Sequence, residues 1–530
     1  MKAKRILATF LSLVILLGLI CAPVQVTSLA ADEPALLQGA NRDGYADLAI
    51  GIPYRSTVST IESGIVGVLY GSNSGLTSTN DQVIDQFTSG VDDTPESYDH
   101  FGYRLEAGDF NGDGYVDLAI GVPGEAVNGE PNAGMVQILF GSRSGFSGNG
   151  SQSWSHANLT NQSVDENEWF GQALASGDFD MDGFDDLAIG VPGQGLPGFA
   201  NTGVVNILYG SAGGLSTDRF KVFAQGIGIQ ETLEINDFFG QVLETGDFNG
   251  DRYYDLAISA YNEDLGAAIN AGVVQVVYGG PDGLVNAGNQ LLYQGNGIQG
   301  TPESDDMFGS ALAAGDFDDN GCDDLAIGVP FENYSFADDG VVHILWGGHS
   351  GLETDFNMLW RQSLISGQAM EANDHFAYSL AAGDFNGDEK DDLAIGVPGQ
   401  DVAPMANAGV FHILYGAFSG ALIDTFHAGI IGSNDQFGYS LAAGDFNGNR
   451  YADLAVGAPY DNTNSKTDNG TVTVFYGGDH GLEGGLSQTW NLNTSHGLAI
   501  DDDDRFGFAL TALNAPHTNL SKIFLPMTRR

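Results

Sequence analysis

Short apolar runs and polar loops follow one another along most of this chain in a fixed order. Each unit opens with a Phe-Gly pair and a brief alternation of apolar and polar positions, as in FGYRLEAGDF (101–110) or FGQALASGDF (170–179), which predicts a short strand. An acidic loop comes next. It runs into a nearly continuous apolar stretch such as DLAIGVP (186–192), suited to a strand buried on both faces. After a further loop a third strand is expected, with GMVQILFG starting at Gly134, GVVNILYG at Gly203, GVVQVVYG at Gly272, GVVHILWG at Gly340 and GVFHILYG at Gly409. A fourth, less regular segment follows a Gly-Leu turn, at Gly214-Leu215, Gly283-Leu284 and Gly351-Leu352.

The acidic loops end at Asp47, Asp117, Asp186, Asp255, Asp324, Asp392 and Asp453, spaced by 70, 69, 69, 69, 68 and 61 residues. So regular a period means one supersecondary unit used seven times. Four short antiparallel strands per unit predict an all-β fold, a seven-bladed β-propeller spanning residues 38–513. The two ends are complementary. The first acidic loop has no Phe-Gly strand before it, and FGFALTAL (506–513) has no acidic loop after it. The C-terminal strand is therefore expected to complete the first blade and close the ring by pairing with the N-terminal strands, since an open solenoid would carry capping units instead.

The loops carry the candidate chemistry. Counted from its first acid, the loop at Asp109 offers side-chain oxygens at positions 1, 3, 5 and 9, namely Asp109, Asn111, Asp113 and Asp117, with Gly114 at position 6 and the carbonyl of Tyr115 at position 7. This is the first arc of an EF-hand-like loop, in which alternate residues converge on one hard cation. The corresponding sets are Asp178, Asp180, Asp182, Phe184 and Asp186; Asp247, Asn249, Asp251, Tyr253 and Asp255; Asp316, Asp318, Asn320, Cys322 and Asp324; Asp384, Asn386, Asp388, Lys390 and Asp392; and Asp445, Asn447, Asn449, Tyr451 and Asp453. Oxygen ligands disfavour zinc and copper, and the crowded carboxylates favour Ca²⁺ over Mg²⁺. Arg252, Glu389 and Arg450 replace the position-6 glycine, the seventh loop has only two carboxylates, and the first has Gly39 in place of the leading acid. About four to six calcium ions are expected, none of them in the first loop. Metal-free Asx turns are the plainer reading of any single loop, but six copies with oxygen at all four positions weigh against it.

Phe-Gly, an Asp-x-Asn/Asp-x-Asp loop, and Gly-Ala-Pro (457–459) or its Gly-Val-Pro variants together resemble the FG-GAP repeat of integrin alpha-subunit propellers and of the propeller in glycosylphosphatidylinositol-specific phospholipase D. The resemblance covers nearly the whole chain beyond the N-terminus. It implies calcium in the hairpin loops of several blades and a ligand surface on the opposite face. Ala377 stands where a Phe-Gly glycine belongs, and Ser259-Ala260-Tyr261 replaces Gly-x-Pro, so those two blades are expected to be locally irregular. No inserted domain interrupts the repeats and no apolar span follows them. The expectation is a propeller module rather than an integrin subunit.

Charge and cysteine content narrow the partners. The chain has 69 acidic and 18 basic residues, a formal net charge of −51, which excludes nucleic acid and anionic membrane as electrostatic partners. With 42% hydrophobic residues it is too apolar to be disordered. Lys2, Lys4 and Arg5, an apolar run from Ile6 to Ile20 and the small residues before Asp32 read as a secretory signal over residues 1–31, leaving no transmembrane segment after cleavage. Cleavage would leave Cys322 as the one cysteine, so stability must come from a large core, bound metal or both. Residues 514–530 form a tail containing LPMT, discounted as a sortase signal because Arg529 and Arg530 follow it directly.

A carboxylate two residues before each opening phenylalanine (Asp99, Glu168, Asp237, Asp306, Asp374, Asp435, Asp504) reads as a turn cap, with binding of a cation or basic partner by the ring as the less favoured alternative. His343 and His412 fill polar strand positions, and no catalytic set stands out. The expectation is a secreted, monomeric, calcium-binding propeller that acts as an extracellular or cell-surface adhesion module for a protein or glycan. A hydrolase of the propeller-containing phospholipase type and a purely structural surface component are the competing classes.

Overall fold

The apolar run of every repeat forms the second strand of a blade: Asp47–Ile52, Asp117–Val122, Asp186–Val191, Asp255–Ala260, Asp324–Val329, Asp392–Val397 and Asp453–Ala458, each buried from end to end. In this computed structural model the described residues are 39–514 apart from 58, 92, 160–162, 366–369, 417–422, 430–431 and 464. The expected leader and the tail beyond Asn514, with its LPMT motif, lie outside them. Each second strand pairs antiparallel with an inner strand on one side and a third strand on the other, and an outer strand completes the sheet. In the second blade the four are Arg104–Gly108, Asp117–Val122, Met135–Phe140 and Ser147–Trp154. Seven such sheets form the propeller, and blade 3 adds a two-residue parallel strand, Gly228–Ile229. Among the described residues no helix is long and apolar enough to cross a membrane.

Closure occurs as the complementary ends predict. Ala509–Leu513 is the inner strand of blade 1 and pairs antiparallel with Asp47–Ile52, setting Leu48 opposite Ala512 and Ala49 opposite Thr511. Across the seam to blade 7, Ala46 N–H donates to the Asp445 carbonyl at 2.9 Å and Leu76 N–H to the Tyr476 hydroxyl at 3.0 Å.

The hydrophobic cores lie between blades. Seven buried clusters each join two neighbouring sheets, including one that packs blade 7 against blade 1 through Phe446, Val472 and Val474 with Leu48, Ile50 and Leu69. The Phe-Gly pair does not itself open the inner strand. It serves as a latch, with Phe101 N–H donating to Ser63 O at 2.9 Å and Phe170 N–H to Ala133 O at 3.0 Å, just before the third strand of the preceding blade. Phe239, Phe308, Phe376, Phe437 and Phe506 repeat the contact. Glycine fits this place best, because at φ +87° a Cβ on Gly102 would stand 2.8 Å from Val66 Cγ2. Ala377 keeps the same left-handed backbone at φ 68°. Its blade forms an ordinary four-stranded sheet, and the blade holding Ser259-Ala260-Tyr261 does so with an inner strand of four residues, Leu243–Gly246. Both blades therefore carry one strand of four described residues, the Ala377 blade in its outer strand Ile423–Phe426, while the latch is kept in each.

Candidate metal centres

Each acidic loop joins the inner and second strands at one end of its blade. In blade 2 the loop's backbone N–H groups draw its side chains inward. Asp113 N–H donates to Asp109 Oδ1 at 3.1 Å and to Asn111 Oδ1 at 2.8 Å, Gly114 N–H to Asp109 Oδ2 at 2.8 Å, and Tyr115 N–H to Asp113 Oδ1 at 3.0 Å. The position-1 acids Asp178, Asp247, Asp316, Asp384 and Asp445 accept in the same way from positions 5 and 6. Asp180, Asn249, Asp318, Asn386 and Asn447 accept from position 5. Asp182, Asp251, Asn320, Asp388 and Asn449 accept from the position-7 N–H of Phe184, Tyr253, Cys322, Lys390 and Tyr451. Position 6 is left-handed throughout, with Arg252 at φ 79°, Glu389 at 70° and Arg450 at 74° alongside the glycines.

The position-9 aspartates have a second task. Asp117 accepts Phe110 N–H at 3.0 Å and Gly141 N–H at 2.8 Å, tying the loop to the end of the third strand. Asp186, Asp255, Asp324, Asp392 and Asp453 do the same. So does Asp47, in the loop that lacks a leading acid. Burial pushes these carboxyls far up, Asp117 to about 8 and both Asp186 and Asp255 to about 9.

The donor sets suit a hard cation. Ligand oxygens on opposite sides of a calcium ion stand about 4.6–5.2 Å apart, at about 2.3–2.6 Å each from the ion. Oxygens of Asp178, Asp180 and Asp182 lie within 4.8 Å of one another, as do those of Asp316, Asp318 and Asp324. The loops differ in the cations already beside them. Arg219 pairs with Asp180, Lys390 Nζ donates to Asp318 O at 2.9 Å, and Arg42 Nη1 to Asp113 O at 3.3 Å. In blade 1 a Cβ on Gly39 would meet Tyr45 O at 2.4 Å and Asp47 Oδ2 at 2.7 Å, so the first loop cannot accept a leading acid. In blade 7, Asn447 and Asn449 also spend their amide nitrogens on Asp453 and the Gly477 carbonyl.

The opposite ends of the blades carry the turn caps. Asp99, Glu168, Asp237, Asp306, Asp374, Asp435 and Asp504 each accept the N–H three residues earlier, which is the capping geometry. His343 and His412 are fully buried strand residues, pushed down by burial to about 4 and about 3.

Two features were not found from sequence. A cavity of about 900 Å³ is lined largely by inner-strand residues, with alanine the commonest, and Arg104, Glu106 and Glu244 also face it. Burial, and then the charge of Glu106, push Glu244 up to about 8. The residue after Phe-Gly is aromatic in four successive blades, Tyr378, Tyr439, Phe508 and Tyr103, while Gln172, Gln241 and Ser310 fill the other three. The aromatic side chains form a half-buried arc with ring centroids 5.2, 5.5 and 5.4 Å apart. A comparison of position 3 of each Phe-Gly unit would have revealed it.

The fold and loop geometry define a repeat propeller with acidic hairpin loops, and comparison with known proteins names the repeat. The FG-GAP repeat family matches residues 101–139, 170–208, 239–277, 308–345, 376–414 and 437–475. The chain is an FG-GAP repeat protein, and its propeller resembles that of integrin alpha subunits. It is 32% identical to Integrin alpha-PS2 of Drosophila melanogaster over 238 residues, 43% of this chain and 15% of that protein. Identity to Integrin alpha-5 of Xenopus laevis is 31% over 226 residues, 42% and 19% of the two chains. Phosphatidylinositol-glycan-specific phospholipase D of Rattus norvegicus matches at 32% over 161 residues, 30% and 18%. The matched stretch spans less than a fifth of each of these relatives.

Proposed function

We propose that this chain is a secreted propeller, stabilised by calcium in the hairpin loops of blades 2–7, that acts as a binding module for an extracellular protein or glycan. Residues 1–31 are its leader and 38–513 its ring. The observation that carries the reading is the aromatic arc of Tyr378, Tyr439, Phe508 and Tyr103 at the ends of the blades away from the loops. Half-buried tyrosines on a rigid scaffold offer large contact area at low entropic cost, for sugar faces or for a protein side chain. The integrin alpha relatives support an extracellular setting.

The test is binding of the labelled protein in 2 mM calcium to arrays of glycans and of immobilised matrix proteins. Binding that disappears in Tyr439→Ser, with the fold intact by circular dichroism, is the expected result. Binding indifferent to Tyr439 and Tyr378, or none on either array, would refute it. A hydrolase is the second reading, favoured by Glu106, Glu244 and Arg104 in the channel, where two carboxyls held in unlike environments could divide acid and base roles. It predicts turnover of a glycoside or phosphodiester that Glu244→Gln abolishes.

A further inference from the structure

Away from the calcium loops, each blade sets one side chain near its turn-capping carboxylate, two residues beyond the proline of Gly-x-Pro or its replacement Tyr261. The copies differ in charge there. In blade 1 the residue is Arg55, whose Nη1 donates to both oxygens of Asp504 at 2.8 and 2.7 Å. In blade 3 it is the neutral Gln194, and Glu168 pairs instead with His156 Nδ1 at 2.8 Å. Blade 6 has Gln400, hydrogen-bonded to Gln362. Blades 2, 4, 5 and 7 have Glu125, Glu263, Glu332 and Asp461, acids against the acids Asp99, Asp237, Asp306 and Asp435.

We propose that Glu263, Asp237 and Glu234, which lead into or belong to blade 4, and Gln225 at the end of the outer strand of blade 3 form a binding site for a divalent, oxygen-preferring cation, distinct from the hairpin loops. Oxygens of the three carboxylates lie within 4.8 Å of one another. Glu263 is 1% exposed and Asp237 2%, so without a counter-charge the two cannot both ionise. The independent pointer is the neutral ligand. Gln225 is 1% exposed and its amide is aimed into the group, with Nε2 donating to Glu263 Oε2 at 2.5 Å and its buried Oε1 left without a partner. Turning the amide over would set Oε1 beside Glu263 in place of Nε2, and the exposed Glu234 leaves the outer side open to water. An all-oxygen set of this kind selects Ca²⁺, Mg²⁺ or Mn²⁺ over softer metals.

Blade 2 repeats the arrangement. Gln86 Nε2 has two hydrogens but faces three carboxylate oxygens, of Asp93 at 2.7 Å, Asp99 at 3.1 Å and Glu125 at 3.2 Å, so one contact has no hydrogen, and its buried Oε1 is again unpartnered. In blade 5, Gln294 bonds Glu332 at 2.6 Å, while its own Oε1 and Asp306 Oδ1 are buried without partners. Blade 1 shows what a positive charge does at this place, since Arg55 satisfies both oxygens of its cap.

The test counts calcium ions bound to the whole protein by native mass spectrometry at saturating calcium. The variants are Glu263→Arg, Glu263→Gln and, as a loop control, the pair Asp178→Asn and Asp182→Asn. Glu263→Arg is expected to lower the count by one, additively with the loop pair, and to keep its melting temperature in EDTA because it installs the Arg55–Asp504 arrangement. Glu263→Gln, which alters the site least, should weaken calcium binding there at least tenfold. An unchanged count in both Glu263 variants would overturn the proposal and show that the carboxyls share a proton. A loop pair that leaves the count unchanged while Glu263→Arg lowers it would sink the hairpin reading alone.

Discussion

Position 9 of the loops can be tested with a control the protein already contains. Asp47 and Asp186 make the same two bonds to buried backbone N–H groups, but only Asp186 sits in a loop with a full set of acids. Replacing either with alanine strands two donors at about 1–3 kcal/mol each, so both variants should lose about 4 kcal/mol in EDTA. In 2 mM calcium Asp186→Ala should also forfeit the linkage energy of one site. With a dissociation constant of about 10⁻⁴ M that is RT ln 21, about 1.8 kcal/mol. The described span, 39–514, has an unfolding entropy of about 1 kcal/mol per kelvin at ~2.1 cal/mol/K per residue. Differential scanning fluorimetry should therefore show both variants melting about 4 °C low in EDTA. In calcium, Asp47→Ala stays about 4 °C below wild type and Asp186→Ala falls about 6 °C below. Equal deficits in calcium would show that position 9 only clamps the backbone and is not a ligand.

Four further outcomes are expected. Wild-type protein moved from EDTA to 2 mM calcium gains about 1.8 kcal/mol at each of some five loops, an upward shift of about 9 °C by calorimetry. In EDTA, carboxyls such as Asp117 and Asp186, raised to about 8 and about 9, hold protons that the unfolded chain has released above about 4, so urea midpoints should fall as pH rises from about 4 to about 9. Calcium takes the place of those protons, and titration calorimetry in buffers of different ionisation enthalpy should show proton release on binding near pH 7. Ala377→Gly relieves a left-handed alanine at φ 68° and should stabilise by about 1 kcal/mol in urea unfolding, whereas Gly102→Ala, with Val66 2.8 Å from the new methyl, should destabilise.

Much of this structure was legible because repetition amplifies weak local signals. A single DLAIGVP could be a strand or a buried helical turn, but seven copies at a fixed spacing, with complementary ends, leave only a closed ring, and Ala509–Leu513 pairs where that reasoning puts it. The loops were legible for the same reason. What escaped notice was whatever depends on neighbouring blades. Asp185, Asp323 and Asp391, which were given no role on sequence alone, each accept the N–H of the position-1 aspartate in the preceding blade, at 2.7, 2.8 and 3.1 Å. That contact spans about 75 residues, and no local pattern encodes it. The Phe-Gly latch was misplaced into the strand because alternation continues through it, while its bonds go to the blade before.

Function in a ring of near-identical units has to reside where the units differ, because contacts made sevenfold can only build the ring. The loop aspartates, the latch and the turn caps are made sevenfold or nearly so, and they account for architecture. The departures are few and grouped. Arg55 and His156 each supply a hydrogen-bonding side chain to one turn cap, the aromatic arc spans only blades 6, 7, 1 and 2, and Arg104, Glu106 and Glu244 place charge in the channel wall in blades 2 and 4. With a net charge of −51 the protein has few cations to place. Those beside its acid groups include Arg42, Arg219 and Lys390 at the hairpin loops and Arg55 at a cap. Acid groups with no such neighbour, above all Glu263 with Asp237, are left to recruit a cation from solution. On the proposed reading, the uneven ring separates the acidic hairpin loops that would hold calcium on one face from the aromatic arc on the other. It predicts that Tyr439→Ser abolishes recognition and leaves the calcium-induced gain in melting temperature intact.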